Sequence, residues 1–277
     1  MIEQRFISVI SNKTAKAGGR RIPEAVIERD YCLAWFLMGL ARFSIKDKLV
    51  FKGGAALRRC YFKDYRFSED LDFTLLGALS LEAVLDEFKK VFVYVKDEIG
   101  ISFGVARLEP SSINTHTFYL TYEGPLPGRA KEVKTDITFK EILLRPVAQK
   151  TIIKSYAEYS DFDPKAKVAV YSLEEVVIEK ICALFSPHRN EPRDLYDVWY
   201  IPNKVSMDLG SLVDDVYAKA RFKGIDFKEQ LNQFGKKESR LKKLWSQRLE
   251  FQMTFLPPFD AVYRDVRRVF RQVGLNP

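Results

Sequence analysis

Lys52-Gly-Gly-Ala-Ala-Leu-Arg58, followed by Arg66-Phe-Ser-Glu-Asp-Leu-Asp-Phe-Thr74, is the stretch on which the fold turns. Leu49-Val-Phe-Lys52 has the apolar character of a short strand, and the two glycines end it in a tight turn where a ligand can come close to the backbone. A helix over residues 55–62 and a strand within 66–76 follow. Alternate side chains on a strand share a face, so Asp70 and Asp72 converge while Leu71 and Phe73 point the other way. Two convergent carboxylates supply hard oxygen ligands of the kind a divalent cation takes.

Outward from this stretch, residues 23–43 and 80–98 have helical spacing. Residues 101–108, 116–122 and 132–139 alternate as strands. In the last of these, Val133, Thr135, Ile137 and Phe139 take one parity and leave Lys134, Asp136 and Thr138 on the other, which makes Asp136 the third carboxylate of the site. After Pro164 the pattern turns helical. Ser172-Leu-Glu-Glu175 has capping-box spacing ahead of a helix over 173–185. Pro192 opens another, and 212–220, 227–234, 239–249 and 259–273 complete the set. The expected fold class is α+β, with a mixed sheet and flanking helices over residues 1–165 and a helical domain over 166–277.

A chain of 277 residues that is 47% hydrophobic and 30% charged builds a packed core, which excludes a disordered class. Three dispersed cysteines, Cys32, Cys60 and Cys182, argue against a disulfide framework or a zinc site and for a reducing compartment, with cytoplasm as the default. The N-terminus shows no signal pattern, and the apolar run from Cys32 to Ala41 is too short to span a bilayer, so no membrane partner is expected. Charge is unevenly placed. Residues 219–277 hold 14 Lys+Arg against 6 Asp+Glu, whereas the preceding 218 residues hold 31 of each. A localised basic face fits a polyanionic partner; a solvated helical surface is the plain alternative.

A glycine pair before a helix frees backbone N–H groups for phosphate. It is not a P-loop, because Lys52 precedes the glycines. Alone, a Gly-Gly is usually a turn and an Asp-x-Asp usually exposed. About sixteen residues apart, across strand, helix and strand, they match the arrangement of the DNA polymerase β superfamily of nucleotidyltransferases. More closely, the two quoted motifs, with Glu179-Lys180 and Arg193-Asp-Leu-Tyr-Asp197, resemble the AbiEii/AbiGii family, which includes the AbiEii and MenT toxins of bacterial toxin–antitoxin pairs. The resemblance runs from about residue 52 to 199, and Arg193 stands where relatives often carry lysine.

The resemblance implies a polymerase β-like N-terminal domain and metal-dependent nucleotidyl transfer. It implies that Asp70, Asp72 and Asp136 hold Mg2+, two ions in all, that Gly53, Gly54, Ser68 and Lys180 hold an NTP, and that Lys180 and Asp194 are functional. The acceptor it points to is the 3′ end of tRNA, whose blocking stops translation. An antitoxin of helix-turn-helix type is the implied partner. The alternatives are transfer to a small molecule or protein side chain, and a non-catalytic NTP- or RNA-binding regulator. Arg66 is a further candidate, for phosphate or for a carboxylate of the sheet. By periodicity alone, Lys180 reads as the solvated side of its helix, and Asp194 and Asp197 as a helix-dipole partner and a surface charge. His116 and His188 lack a paired ligand set, and no Gly-x-Ser-x-Gly supports Ser-His-Asp hydrolysis.

Overall fold

The computed structural model describes the chain except residues 17, 111, 188, 228–232 and 276–277 and the side chains of 14, 16 and 233; His188 and most of the expected helix 227–234 thus lie outside the described residues. Two compact units form. The first comprises Met1–Glu141, Val147–Tyr171 and Phe251–Thr254, the second Ile142–Pro146, Ser172–Glu250 and Phe255–Pro277.

In the first unit, α1 (Gln4–Lys16) buries Ile7 and Ile10, and α2 (Glu24–Leu40) is buried along nearly its whole length from Ile27 onward. The strand β1 (Leu49–Lys52) runs into α3 (Gly53–Ala56), which continues as a π-helical turn, Leu57–Tyr61, closed by a 2.9 Å bond from the Phe62 amide to the Leu57 carbonyl. Then come β2 (Leu71–Leu75), α4 (Leu81–Ile99), β3 (Ser102–Leu108), β4 (Thr115–Glu123), β5 (Lys131–Thr138), β6 (Ala148–Thr151) and β7 (Lys167–Val170). The seven strands form one mixed sheet in the order β3-β4-β5-β2-β1-β7-β6. Its central register sets Lys52 opposite Asp72 in the antiparallel β1–β2 pair, and Asp72 beside Asp136 in the parallel β2–β5 pair. Phe36 of α2, Phe88 and Phe92 of α4 and Phe103 of β3 pack together, Phe36 edge-on to Phe88 with centroids 5.1 Å apart and Phe92 stacked on Phe103, so the helices close one face of the sheet.

The structure shifts three expectations here. The helix after β1 starts at Gly53 itself, two residues earlier than expected, because the left-handed φ of Gly53 (+74°) turns the chain at once. The strand β2 starts at Leu71, so Asp70 stands immediately before it. And α1, β6 and β7 are unannounced by the sequence pattern, the two strands being only four residues long.

The second unit is helical: α5 (Leu173–Phe185), α6 (Pro192–Val205), α7 (Val213–Phe222), a short α8 (Gln233–Lys236), α9 (Glu238–Leu249) and α10 (Phe259–Gln272). Phe185 packs against Phe227 and Phe270 to form the aromatic centre. Only half of the expected capping box forms. The Ser172 hydroxyl accepts from the Glu175 amide at 3.2 Å, but the Glu175 carboxylate turns inward, taking the Leu144 and Arg145 amides and the buried Lys219 ammonium at 2.7–2.9 Å. Among the described residues no helix is long and apolar enough to cross a membrane.

Candidate active site

The carboxylate group of the first unit is built by sheet register. Asp72 and Asp136 occupy adjacent positions on parallel strands, both half-buried, and Asp70 lies just ahead of the strand that carries Asp72. What draws them together electrostatically is Lys134. Its ammonium lies 2.7 Å from Asp136 Oδ2. Partial burial would lower its pKa, but the Asp136 bond and the charges of Asp136, Asp70 and Asp72 outweigh that and raise it. The Thr117 hydroxyl, opposite Asp136 on β4, donates to Asp136 Oδ1 at 2.6 Å.

Asp70, Asp72 and Asp136 carry the hard oxygen ligands that a divalent cation takes. Of the three, Asp136 bonds the Lys134 ammonium, while Asp70 and Asp72 act on it through charge. Among the described residues no three acidic, His or Cys side chains are gathered closely enough to hold a metal ion.

The Gly-Gly turn abuts this group. Gly53 faces the Asp72 side chain so closely that a Cβ would overlap its carboxylate. Gly54 lies over Arg66, whose guanidinium nitrogens are 2.8 and 2.9 Å from where a Cβ would stand. Arg66 is 2% exposed and reaches the Phe67 carbonyl and Gln252 Oε1. The structure therefore places Arg66 beneath the turn. Arg58 of the same motif is also internal: it bonds Asp30 at 2.8 Å, donates to the Tyr65 carbonyl and stacks 3.6 Å from the Phe67 ring centroid. Ser68 is half-buried, one residue after Phe67, whose amide bonds the Gln252 carbonyl at 2.6 Å. Lys52 reaches Thr138 Oγ1 at 3.2 Å and lies 5.5 Å from the Tyr171 ring centroid.

A second charged group forms in the second unit. Lys180 of α5 bonds Asp194 Oδ1 at 2.6 Å and Asp197 Oδ2 at 3.0 Å, both carboxylates on the first turns of α6. Arg189 adds bonds of 2.5 and 3.2 Å to Asp194. Burial alone would raise the Asp194 carboxyl, but the Lys180 and Arg189 charges win and hold it well below the usual carboxylate range. Two plain readings of the sequence fail here. The Lys180 side chain is only 12% exposed, and Asp197 is fully buried rather than a surface charge. Lys237 completes the surroundings. Its ammonium donates to the carbonyls of Leu184, Ser186 and Arg189, capping the end of α5, while burial draws its pKa down to about 8. Arg193 is half-buried, 3.6 Å from Glu191. His116 stacks on Phe139, with centroids 4.5 Å apart.

The residues missed from the sequence are Lys134, Thr117, Arg189 and Lys237. Strand parity already set Lys134 on the Asp136 face, and that signal was available. Thr117, Arg189 and Lys237 depend on pairings over tens of residues that no local pattern carries.

A family model described as nucleotidyl transferase AbiEii toxin, type IV toxin–antitoxin system, matches residues 35–265. Two solved structures share the fold: JHP933 from Helicobacter pylori, 15% identical, covering 91% of this chain and 93% of that one with a TM-score of 0.57, and the nucleotidyltransferase toxin MenT4 from Mycobacterium tuberculosis H37Rv, 17% identical, covering 97% and 89% with a TM-score of 0.57. A search of curated proteins found no match. With the match running through both motifs and most of the chain, this protein belongs to the AbiEii family of nucleotidyltransferase toxins.

Proposed function

We propose that the chain transfers a nucleoside monophosphate from an NTP to the 3′ end of tRNA, using Mg2+ at Asp70, Asp72 and Asp136, and so blocks translation. The observation that carries this is the pairing of Asp72 with Asp136 on parallel strands beside the left-handed Gly53 turn. Bound Mg2+ would offset the charge of the triphosphate and ease ionisation of the acceptor hydroxyl. The chain's own residues do the rest. The Gly53-Gly54 turn offers backbone N–H groups to phosphate at the start of α3, and Ser68 adds a hydroxyl. Asp136, oriented by Thr117, accepts the proton as the hydroxyl oxygen bonds to the α-phosphorus and the bond to pyrophosphate breaks. Lys180 and Asp194 take the functional roles that the family resemblance implies, Asp194 accepting from the lysine ammonium at 2.6 Å. The family implies an antitoxin that silences the toxin; we propose a helix-turn-helix protein, and cytoplasm as the compartment.

The test is incubation with each labelled NTP, Mg2+ and total tRNA. Label is expected on tRNA with the wild type and to fall at least about a thousandfold with Asp70→Ala or Asp72→Ala, the scale of losing an electrostatic transition-state contact. Label on a protein or small molecule instead would assign a different acceptor, and NTP binding without turnover would make the chain a regulator.

A further inference from the structure

Four of the fourteen basic residues of the C-terminal segment, all arginines, meet at one cleft. Along α10, Phe259, Val262, Val266 and Phe270 are buried at helical spacing. The other side is left to Arg264, Arg268 and Arg271, all exposed, with Arg268 3.4 Å from Asp265 one turn back, and to half-buried Arg267. These four line a cleft of about 560 Å3 together with Glu238, Asp260 and Tyr263. Both carboxylates in it are already engaged, Asp260 by Lys242 at 2.8 Å and Glu238 by the Tyr263 phenol. Glu238 is also the first residue of α9, so the positive end of that helix lies at the cleft. Lysines that contribute to the basic composition are less available, since Lys237 is buried and Lys242 is paired.

We propose that this cleft binds consecutive phosphates of an RNA backbone. The proposal rests on the RNA-directed reading above and names where the RNA is held. Guanidinium forks match phosphate oxygens two at a time. From Arg264 to Arg271 is two helical turns, roughly 10 Å at the helical rise, enough to meet several phosphates of one strand. An acidic protein partner would need an apolar anchor at the centre of its interface, and the ring at this cleft, Tyr263, is buried.

The experiment measures binding of fluorescent unfractionated tRNA to the full chain between 50 and 200 mM KCl, with poly-glutamate as competitor. Arg264→Glu/Arg268→Glu/Arg271→Glu is expected to weaken binding about tenfold or more and to flatten the log–log salt slope by about 3, and Arg271→Glu alone by about 1. Arg240→Glu/Lys243→Glu, exposed on α9 outside the cleft, is expected to change it by less than half as much. Thermal melts matching the wild type establish that each variant folds, and the single exposed substitution decides the matter if the triple does not. A wild-type slope in the arginine variants, an equal loss in the α9 variant, poly-glutamate competing as well as tRNA, or no tRNA binding by the wild type would overturn the proposal. Binding through the cleft without labelling of tRNA would remove the acceptor assignment and leave the cleft; labelling with unchanged binding in the arginine variants would do the reverse.

Discussion

Gly53 holds a φ of +74° with its α-carbon against the Asp72 carboxylate. Alanine there meets two obstacles at once, the left-handed backbone and the overlap with Asp72. Gly53→Ala is expected to cost about 1–3 kcal/mol of stability and to abolish nucleotidyl transfer more completely than that loss explains, because Asp72 must move. Urea melts alongside labelling assays check it; a variant of reduced stability but wild-type transfer would show that Asp72 can shift without consequence. The Gly-Gly turn was legible because a left-handed turn pressed against a carboxylate admits little but glycine. Arg58 and Arg66 were not. The sequence offers Arg66 to a phosphate or a carboxylate of the sheet and gives no place for Arg58; the packing around Asp30, Phe67 and Gln252 buries both.

At the scale of elements, the junction of α5 and α6 is held by the Lys180, Arg189 and Asp194 bonds. Asp194 is ionised in the folded chain far below the pH at which an unfolded aspartate takes its proton. The stability it contributes is therefore complete above about pH 4 and is lost as pH falls from there through the folded value. Asp194→Asn is expected to cost about 3 kcal/mol near neutrality, since it leaves buried cations short of a partner. The gap between wild type and variant in urea melts should close below about pH 4; a gap constant down to pH 2.5 would contradict this charge balance. The helices themselves were legible from apolar period and caps, as the match of α5 to its expected 173–185 span shows. The strands β6 and β7 were not, because Ala148–Thr151 lacks apolar alternation and neither strand is marked by a turn motif as β1 is by Gly53-Gly54.

For the whole molecule, the chain passes between its two units more than once, which a cut in the sequence does not respect. Ile142–Pro146 belongs to the helical unit, where the Leu144 and Arg145 amides and the Ile142 carbonyl satisfy buried Glu175 and Lys219. A fragment of residues 166–277 lacks them. It is expected to melt at lower temperature and less cooperatively than the same unit in the full chain, by far-UV circular dichroism, because burying those groups without partners costs about 1–3 kcal/mol each. Restoring the segment as an added peptide is expected to raise the midpoint.

Local physics was enough for the first part of this protein's character: turn chemistry and helical period are set by neighbours a few residues apart, so the Gly-Gly turn and the helical second half follow from the sequence alone, whereas Asp70 falls just outside the strand that carries Asp72. The tertiary structure decided which distant groups meet. It set Asp136 beside Asp72 and Lys134 among the carboxylates, buried Asp197, and gathered the arginines of α10 around one cleft. Those outcomes depend on register and burial, which are won by the free energy of the whole core rather than by any one segment.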